Sequence, residues 1–284
     1  MTSKEPKIVV VLPAYNAART LERTYEDIPK DKVFQIILVD DVSHDQTVEI
    51  ARSLGLSVVI HVQNRGYGGN QKTCYLEALK EQADVVVMLH PDHQYDSRLV
   101  PELVAPILEN QADMVVGSRI LNGQALQGGM PIWKYIANRV LTTLENAIYG
   151  TRLTDCHSGF RAYSRRLLTT VPFLINSDDF VFDSQMIAQA VCFGFHIREI
   201  AVQARYFPEA SSVNFRVSLR YGIKTLWVMI GALFQRLGLF RPRIFNLTLP
   251  QVVSRHYHEA IFRNPASPDQ AAGSASSEIG QRVR

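Results

Sequence analysis

The chain has 284 residues, 46% of which are hydrophobic, so it can bury a substantial core as one large domain or as two small ones. Its formal net charge of +3 at pH 7 is too small to indicate a protein that binds nucleic acid. Its three cysteines, Cys74, Cys156 and Cys192, are widely spaced without a C-x-x-C pair, which indicates reduced thiols in a cytoplasmic protein.

The first half of the chain alternates short apolar runs with helix-length segments. Residues 7–12 form the first run, which is too short for a secretory signal and stops at Pro13, as a strand would. Further strands are predicted at 34–39, 57–62, 85–89 and 114–117, and helices at 17–27, 45–54, 69–82 and 99–110. Strands separated by helices indicate βαβ units, so we predict an α/β fold with a mostly parallel sheet.

After residue 119 the alternation gives way to longer helices. Helices are predicted at 131–149, 180–192 and 216–239, with one strand at 196–205. The first of these helices has apolar residues at helical spacing, namely Trp133, Ile136, Val140, Leu141, Leu144 and Ile148. From about residue 264 the composition is that of disordered tails. We therefore expect an α/β domain over 1–215, a basic helical extension over 216–263 and a disordered tail over 264–284.

A dense group of polar side chains directly follows the apolar run 85–89. Its members are His90, Asp92, His93, Gln94 and Asp96. Open α/β sheets bind ligands in the crevice beyond the carboxyl ends of their strands, which is where this group is expected. A carboxylate and an amide there can hold a hard cation and the phosphates that it neutralises. The alternative is an ordinary polar loop after a buried strand.

The first two strands also end in side chains suited to a ligand. Pro13 stops the first strand, and the ring of Tyr15 could flank a nucleobase, although this segment could equally make a simple turn. Asp41 follows the second strand, where a carboxylate can accept hydrogen bonds from a base or a ribose hydroxyl. Ser43 or Asp45 is better explained as the cap of the next helix.

The third predicted strand leads into a glycine-rich loop at 64–72. Glycine lets a backbone approach a ligand closely, and the helix that begins here presents N–H groups to anions. The loop matches neither the Walker spacing nor G-x-G-x-x-G. Four successive strand ends therefore carry groups suited to different parts of one nucleotide diphosphate.

In combination, the motifs at these strand ends resemble the GT-A fold glycosyltransferases of family 2. The matching segments are 13–16 (PAYN), 39–47 (VDDVSHDQT), 64–68 (NRGYG), 92–94 (DHQ) and 117–119 (GSR). Two later segments, 155–161 (DCHSGFR) and 205–209 (RYFPE), resemble the branch that contains the polyprenyl-phosphate (dolichol-phosphate) mannose and glucose synthases. The resemblance covers about residues 7–215 and implies a Rossmann-like GT-A domain with a helical C-terminal extension.

The resemblance implies inverting transfer of a sugar from a UDP- or GDP-sugar, assisted by Mg²⁺ or Mn²⁺. Asp92 and Gln94 would bind the metal or its water shell. His157, Arg161 and Ser211 would lie on the acceptor side, where a lipid phosphate or a glycan is the expected partner. The residues expected to contact the nucleotide-sugar are Pro13, Ala14, Tyr15, Asp41, Gly66, Lys72, His90, Pro91, Asp92, Arg119 and Arg205.

Three positions depart from the family pattern, and the first is Ala17, where the family often has an acidic residue. The family usually has an Asp-x-Asp pair where this chain has His90-Pro91-Asp92, so the site carries one carboxylate fewer. A neutral imidazole could still ligate Mn²⁺ or hydrogen-bond a phosphate, which favours weaker metal binding or a preference for manganese. Ser211 stands where lipid-phosphate synthases often place a lysine, and this counts against a lipid phosphate acceptor.

Asp183 is the candidate catalytic base. It ends the segment 177–183 (SDDFVFD), which begins a helix at about the point where the family places its acidic base. A hydroxyl acceptor would need such a carboxylate to remove its proton, whereas a phosphate acceptor is already anionic and needs no base. The alternative is a first-turn aspartate that is favoured by the helix dipole.

The last predicted helix bears on the partner and the location. Arg220, Lys224 and Arg236 leave about eleven uncharged residues where a membrane span needs about 20, so we expect no crossing. Its basic and apolar faces suit contact with an anionic membrane surface through 216–243, and packing on the domain or a dimer interface are the alternatives. We expect a cytoplasmic protein, peripheral on the cytoplasmic membrane face, that acts in glycolipid or cell-envelope biosynthesis.

We predict a nucleotide-sugar-dependent glycosyltransferase and retain two alternatives. A sugar nucleotidyltransferase usually carries a loop rich in glycine, arginine and lysine after its first strand, where this chain has 13–16 (PAYN). A non-catalytic nucleotide-sugar-binding protein with a degenerate metal site is the other alternative, and His90 is the residue that keeps it open.

Overall fold

The computed structural model describes residues 5–123, 125–206 and 215–262, so the predicted tail and Ser211 lie outside the described residues. The strands are β1 (Ile8–Ala14), β2 (Gln35–Asp40), β3 (Ser57–Ile60), β4 (Val85–Met88), β5 (Met114–Ser118), β6 (Arg161–Ser164) and β7 (Ile197–Ala201). The helices are α1 (Leu21–Asp27), α2 (Thr47–Ser53), α3 (Gly66–Lys80), α4 (Val100–Leu108), α5 (Ile132–Tyr149), α6 (Arg165–Thr170), α7 (Phe182–Cys192), α8 (Phe215–Arg236), α9 (Leu249–Val252) and α10 (Arg255–Phe262).

Within the described residues, seven strands form one sheet in the order β3-β2-β1-β4-β6-β5-β7. The neighbours pair in parallel except for β6, which runs antiparallel between β4 and β5. The predicted α/β fold with a mostly parallel sheet is confirmed. Strand β6 was not predicted, because its four residues, RAYS, carry no apolar run. The predicted strand 196–205 is shorter than expected, because pairing with β5 ends at Ala201.

The central strands are rich in β-branched residues and are buried on both faces. In β1, Val9 and Val11 belong to one hydrophobic cluster with residues of α3 and α7. Val10 and Leu12 belong to a second cluster with residues of α4. This alternation follows the two-residue period of a strand, and it leaves the ends of the sheet free to carry polar loops.

Helix α5 buries its polar face and exposes its apolar face. The residues that it buries are Asn138, Thr142, Glu145 and Tyr149. The apolar residues that it exposes include Ile132, Ile136, Val140 and Leu144, each four residues from the next. The apolar spacing predicted from the sequence is present, but it marks the outer surface of the domain.

Helix α8 packs on α5 and α7 and continues this exposed apolar surface. Val228, Met229 and Ala232 join the core of the α/β domain. The apolar residues exposed along α8 include Leu219, Ile223, Leu226, Trp227, Ile230 and Phe234. Among the described residues, only Arg216–Arg236 is long and apolar enough for a membrane span by length and composition, and 22% of its 18-residue apolar window is buried. Length and composition do not decide whether this helix crosses a membrane, so the predicted absence of a crossing stays a prediction.

Candidate active site

A cavity of about 690 Å³ opens at the carboxyl edge of the sheet. The loops after β1, β2 and β4 bound one side, and residues of α5, α8 and the start of α7 bound the other. Ligands of open α/β sheets bind at this edge because the strand ends converge there. The predicted site residues that line the cavity are Pro13, Ala14, Tyr15, Asp41, Gly66, His90, Pro91, Asp92, Gln94, Arg119, His157 and Asp183.

Three turns at this edge contain residues in the left-handed backbone region. Asn16, Val42 and His93 have φ angles of 52°, 66° and 56°. This conformation is costly for a β-branched residue such as Val42, and strain of this kind clusters at ligand-binding turns. The cavity residues that directly precede these three are Tyr15, Asp41 and Asp92.

Asp41 holds the glycine-rich loop against the end of β2. Its Oδ1 accepts a hydrogen bond from Arg65 N at 2.7 Å, and its Oδ2 accepts one from Gly66 N at 3.0 Å. His61 Nδ1 lies 2.7 Å from Oδ1. A Cβ at Gly66 would lie 2.8 Å from the carbonyl oxygen of Asp178, so this turn requires glycine. The carboxylate that was predicted to contact the base lines the cavity while it also fixes this loop.

Asp92 is a carboxylate that a cation would stabilise. Burial raises the pKa of Asp92, and the neighbouring His90 acts in the opposite direction. Asp92 Oδ1 accepts a hydrogen bond from Gln94 N at 3.1 Å, which fixes the loop that carries both residues into the cavity lining. The described residues contain no cluster of three or more His, Cys, Asp or Glu side chains for a metal. A divalent cation fits here if it takes few protein ligands and completes its shell with water and phosphate oxygens.

The hydroxyl of Tyr67 connects His90 to Asp183. It donates to Asp183 Oδ2 at 2.7 Å and lies 3.1 Å from His90 Nε2. Asp183 Oδ1 accepts a hydrogen bond from Gln71 Nε2 at 3.2 Å, and Arg161 Nη1 lies 3.7 Å from the same oxygen. Both carboxylate oxygens are thus engaged by donors of the fold, and the role of Asp183 as catalytic base stays a prediction.

Arg119 and Asp155 form a buried ion pair beside the cavity. Nε and Nη2 of Arg119 donate to the two carboxylate oxygens at 2.7 and 2.9 Å, and Asn138 Nδ2 donates to the same carboxylate at 2.7 Å. Burial opposes the charge on Asp155, but the Arg119 guanidinium more than offsets this and holds the pKa of Asp155 well below its usual range. The bidentate pair fixes the position of Arg119 at the cavity wall.

Helices α5 and α8 form the wall opposite the strand ends. Trp133 and Leu141 give this wall apolar surface, and Lys134 and Tyr221 give it polar groups. Burial lowers the pKa of Lys134, and the positive charge of Arg119 lowers it further. An anion that interacted with both cations would relieve this repulsion. This half of the cavity therefore suits a molecule with an anionic head and an apolar tail.

Glu145, His157 and Tyr221 form a buried polar chain at the base of this wall. Glu145 Oε2 lies 3.3 Å from His157 Nε2, and His157 Nδ1 lies 2.7 Å from the Tyr221 hydroxyl. Ser184 Oγ lies 2.9 Å from the same hydroxyl and extends the chain to α7. Burial raises the pKa of Glu145 to about 8 and lowers that of His157 to about 4. Both side chains are therefore neutral near pH 7.

The profile of the family described as glycosyl transferase family 2 matches residues 9–171, more than half of the chain. The chain belongs to glycosyltransferase family 2. Protein MJ1222 of Methanocaldococcus jannaschii, which is described as uncharacterized, is 31% identical over 79% of this chain and 91% of that protein. The low-salt glycan biosynthesis hexosyltransferase Agl6 of Haloferax volcanii is 32% identical over 74% of this chain and 50% of that enzyme.

The fold of this family 2 glycosyltransferase has close matches among solved structures. Glucosyl-3-phosphoglycerate synthase from Mycobacterium tuberculosis has a TM-score of 0.62, with 83% of this chain and 81% of the synthase covered. The two sequences are 23% identical, so this likeness concerns the fold alone. The family and the fold together confirm the predicted GT-A glycosyltransferase.

Two predicted site residues of this family 2 glycosyltransferase do not line the cavity and instead hold parts of the fold together. Lys72 Nζ donates to the Asn176 carbonyl and lies 2.6 Å from Asp178 Oδ1, so it ties α3 to the segment before α7. Arg161 is fully buried, and its guanidinium donates to three backbone carbonyls. Neither residue lines the cavity, because their donors are used within the fold, and their proposed contacts with the donor and the acceptor stay predictions.

Arg205 is a third predicted residue that does not line the cavity. Its Nη1 lies 3.1 Å from His93 Nε2, and its backbone N–H donates to the Gln94 carbonyl at 2.8 Å. These bonds attach the chain after β7 to the loop that carries Asp92. Arg205 therefore supports the loop of the predicted metal ligands, and its contact with the donor stays a prediction.

Several residues of the site were not predicted from the sequence. They are Tyr67, Trp133, Lys134, Asn138, Glu145 and Tyr221. The sequence of α5 could have predicted its buried polar face, because polar residues recur at helical spacing within this otherwise apolar helix. Tyr67 lies inside a recognised motif, but its role depends on His90 and Asp183, which are distant in the chain.

Proposed function

We propose that this family 2 glycosyltransferase transfers a sugar from a UDP- or GDP-sugar to the phosphate of a polyprenyl phosphate at a membrane surface. The main support is that one cavity joins the donor-type strand ends to a wall of α5 and α8, whose outer faces are apolar. Two relatives have names of this class: a UDP-N-acetylglucosamine–dolichyl-phosphate N-acetylglucosaminyltransferase from Methanococcus voltae and a dolichol-phosphate mannosyltransferase from Pyrococcus furiosus.

The nucleotide would occupy the side of the cavity formed by the strand ends. Tyr15 is 53% exposed, so its ring can pack on a base, and Asp41 lies across the same crevice. The glycine-rich turn at Gly66 brings backbone close to this side, as phosphate or ribose contact requires. The other residues proposed to contact the donor are Pro13, Ala14, His90, Pro91, Asp92 and Arg119.

Asp92 and Gln94 would hold a divalent cation, Mg²⁺ or Mn²⁺. The glucosyl-3-phosphoglycerate synthase has been crystallised with Mn²⁺ and UDP, and also with Mg²⁺ and UDP. A cation would offset the burial that raises the pKa of Asp92. When bound, the cation supplies Lewis-acid stabilisation of the charge that develops on the departing nucleotide diphosphate.

The acceptor phosphate would bind beside Arg119 and Lys134, with His157 on the same side of the cavity. Its oxygen is already anionic and can attack the anomeric carbon without a general base. As the new C–O bond forms, the bond from the anomeric carbon to the diphosphate breaks, and its electron pair stays on the diphosphate oxygen. Attack on the face opposite the leaving group inverts the configuration. Asp183 would act as a base only with a hydroxyl acceptor.

The exposed faces of α5 and α8 would contact the bilayer that carries the acceptor. Exposed basic residues flank the apolar stripe of α8, namely Arg216, Arg220, Arg236, Arg241 and Arg243. Lys224 Nζ pairs with Asp179 at 2.6 Å, and the Tyr221 hydroxyl reaches Ser184. Because these polar contacts hold α8 on the domain, we propose that it lies along the cytoplasmic membrane surface instead of crossing it.

Product formation from a panel of UDP- and GDP-sugars tests this function. The full-length protein would be assayed with Mn²⁺ and vesicles that contain a polyprenyl phosphate, and vesicles with the matching polyprenol are the control. We expect sugar on the phosphate lipid and none on the polyprenol. Transfer to hydroxyl acceptors alone would overturn the proposed acceptor. Absence of turnover with every donor and metal concentration would overturn the proposed function.

A further inference from the structure

The hydroxyl proton of Tyr67 has two neighbours, Asp183 and His90. A carboxylate can only accept a hydrogen bond, and Tyr67 lies 2.7 Å from Asp183 Oδ2, so the proton is directed to Asp183. The same Tyr67 oxygen lies 3.1 Å from His90 Nε2. Because its proton is already used, the Tyr67 oxygen accepts in this second bond. Nε2 of His90 is therefore the donor.

An imidazole that donates through Nε2, as that of His90 does, can bind a metal through the lone pair of Nδ1. The Nε2–Cδ2 edge packs on Gly159, where an added Cβ would lie 2.9 and 2.8 Å from these two atoms. Nδ1 is the ring atom opposite this edge. Among the described residues, the hydrogen bond of His90 is made by Nε2 and none is made by Nδ1. His90 also lines the cavity next to Asp92.

We infer that His90 Nδ1 is a direct ligand of the divalent cation, so that a His90-x-Asp92 pair replaces the two carboxylates expected at these positions. This inference rests on the proposed metal-dependent donor site and concerns the atoms that hold the cation. A metal-bound histidine usually donates its other N–H to a fixed acceptor, which orients the ring. Tyr67 is that acceptor here, and Asp183 fixes Tyr67 in turn.

The nitrogen ligand changes which metal the site prefers. Mg²⁺ favours oxygen ligands, whereas an imidazole suits transition metals and binds Mn²⁺ better than Mg²⁺. The loss of one carboxylate also removes negative charge that would attract either ion. We expect Mn²⁺ to bind more tightly than Mg²⁺, and His90→Asp to reduce this preference.

Pulsed EPR of bound Mn²⁺ tests the ligand directly, without reference to activity. The full-length protein with Mn²⁺ and UDP should show electron spin echo modulation from a coordinated imidazole nitrogen. Protein labelled with ¹⁵N-histidine should replace this ¹⁴N signal by a ¹⁵N signal. His90→Asp should still bind Mn²⁺ through oxygen and should lose the nitrogen signal.

Tyr67→Phe tests the positioning role of the hydroxyl. Without an acceptor for Nε2–H the ring loses its fixed tautomer, so we expect Mn²⁺ to bind roughly tenfold to a hundredfold more weakly. Tyr25→Phe, on α1, is the matched control and should leave Mn²⁺ binding unchanged. His196→Gln, at a position far from the cavity lining, is the control for histidine removal.

Several results would overturn the inference. One is bound Mn²⁺ without a nitrogen signal in the unmodified protein. Another is a nitrogen signal that survives His90→Asp, and its loss in His93→Gln would assign the ligand to His93 instead. Mn²⁺-dependent sugar transfer without a nitrogen signal would overturn this inference and leave the proposed function standing. A His90-dependent nitrogen signal without any sugar transfer would support this inference and overturn the proposed function.

Discussion

Glu145 Oε2 lies 3.3 Å from His157 Nε2 at the base of the α5–α8 wall, where the Glu145 side chain is fully buried and that of His157 is 9% exposed. A carboxylate and an imidazolium in contact would attract each other, but burial penalises both charges. The raised pKa of Glu145 and the lowered pKa of His157 leave the pair neutral, and neither Glu145 oxygen nor His157 Nε2 makes a hydrogen bond among the described residues. The pair holds α5 to the loop before β6 without a buried net charge.

The Glu145 pair makes stability depend on pH. In the folded protein Glu145 stays protonated up to about pH 8, whereas in the unfolded chain it ionises from about 4.5, so folding stability falls as pH rises through this range. Glu145→Gln stays neutral and avoids this loss. We expect the unfolding free energy of Glu145→Gln minus that of the unmodified protein to increase by about 2 kcal/mol between pH 6 and 8.

Urea unfolding at pH 5, 6, 7 and 8 measures this difference. His157 has the opposite dependence, because its lowered pKa makes stability fall as pH drops from about 6.5 to 4. Measurement at pH 7 and above therefore separates the two groups. Glu102→Gln, at an exposed position on α4, is the control and should show no trend. A difference between Glu145→Gln and the unmodified protein that does not change with pH would contradict a protonated Glu145.

Asp183→Asn should destabilise the fold strongly. Arg161 is fully buried, and Asp183 is the carboxylate that lies 3.7 Å from its guanidinium. Removal of one partner from a buried ion pair typically costs about 3–5 kcal/mol. Asp179→Asn is a matched control, since Asp179 pairs with Lys224 at a half-exposed site where a surface pair contributes at most about 1 kcal/mol. Equal unfolding free energies for the two variants would show that Asp183 does not compensate Arg161.

Asp92→Ala should abolish metal-dependent turnover and leave the fold intact. A loop carboxylate at a strand end contributes little to the core, and its burial without a bound cation opposes its charge. We expect the free energy of unfolding to change by about ±0.5 kcal/mol at most, which is the range of ordinary surface substitutions. Asp96→Ala, in the same loop but paired with Arg98, is the control and should retain Mn²⁺ affinity. Mn²⁺-dependent activity in Asp92→Ala would refute the proposed metal ligand.

Trp227→Asp should weaken membrane binding. Trp227 is 68% exposed on the apolar stripe of α8, so the change should leave the core unaltered. Loss of one buried aromatic contact with lipid costs about 2 kcal/mol, which corresponds to roughly tenfold or more in partitioning to anionic vesicles. Val62→Asp, at an exposed position after β3, is the control. Equal sedimentation of both variants with vesicles would argue that the α8 face serves another contact.

The sequence determined the order of the strands and helices up to β5, because each depends on local apolar runs, turns and helix-length segments. Pro13 is the last but one residue of β1, one residue from the predicted strand end, and Asp41 and Asp92 follow buried strands. Because ligands of open α/β sheets bind beyond the carboxyl ends of such strands, the sequence alone assigns these residues to one site. The same local motifs were sufficient to predict the family to which the chain belongs.

Tertiary structure alone decided which of these side chains face the cavity. Arg119 and Arg161 both lie in motifs. Arg119 lines the cavity, whereas the guanidinium of Arg161 donates its hydrogen bonds to backbone carbonyls. The period of α5 reveals an apolar stripe, but only packing shows that this stripe faces outward and that Glu145 faces inward. The bond from Tyr67 to Asp183 joins residues 116 positions apart. Local sequence fixes backbone conformation, whereas burial and hydrogen-bond partners depend on segments that meet only in the folded chain.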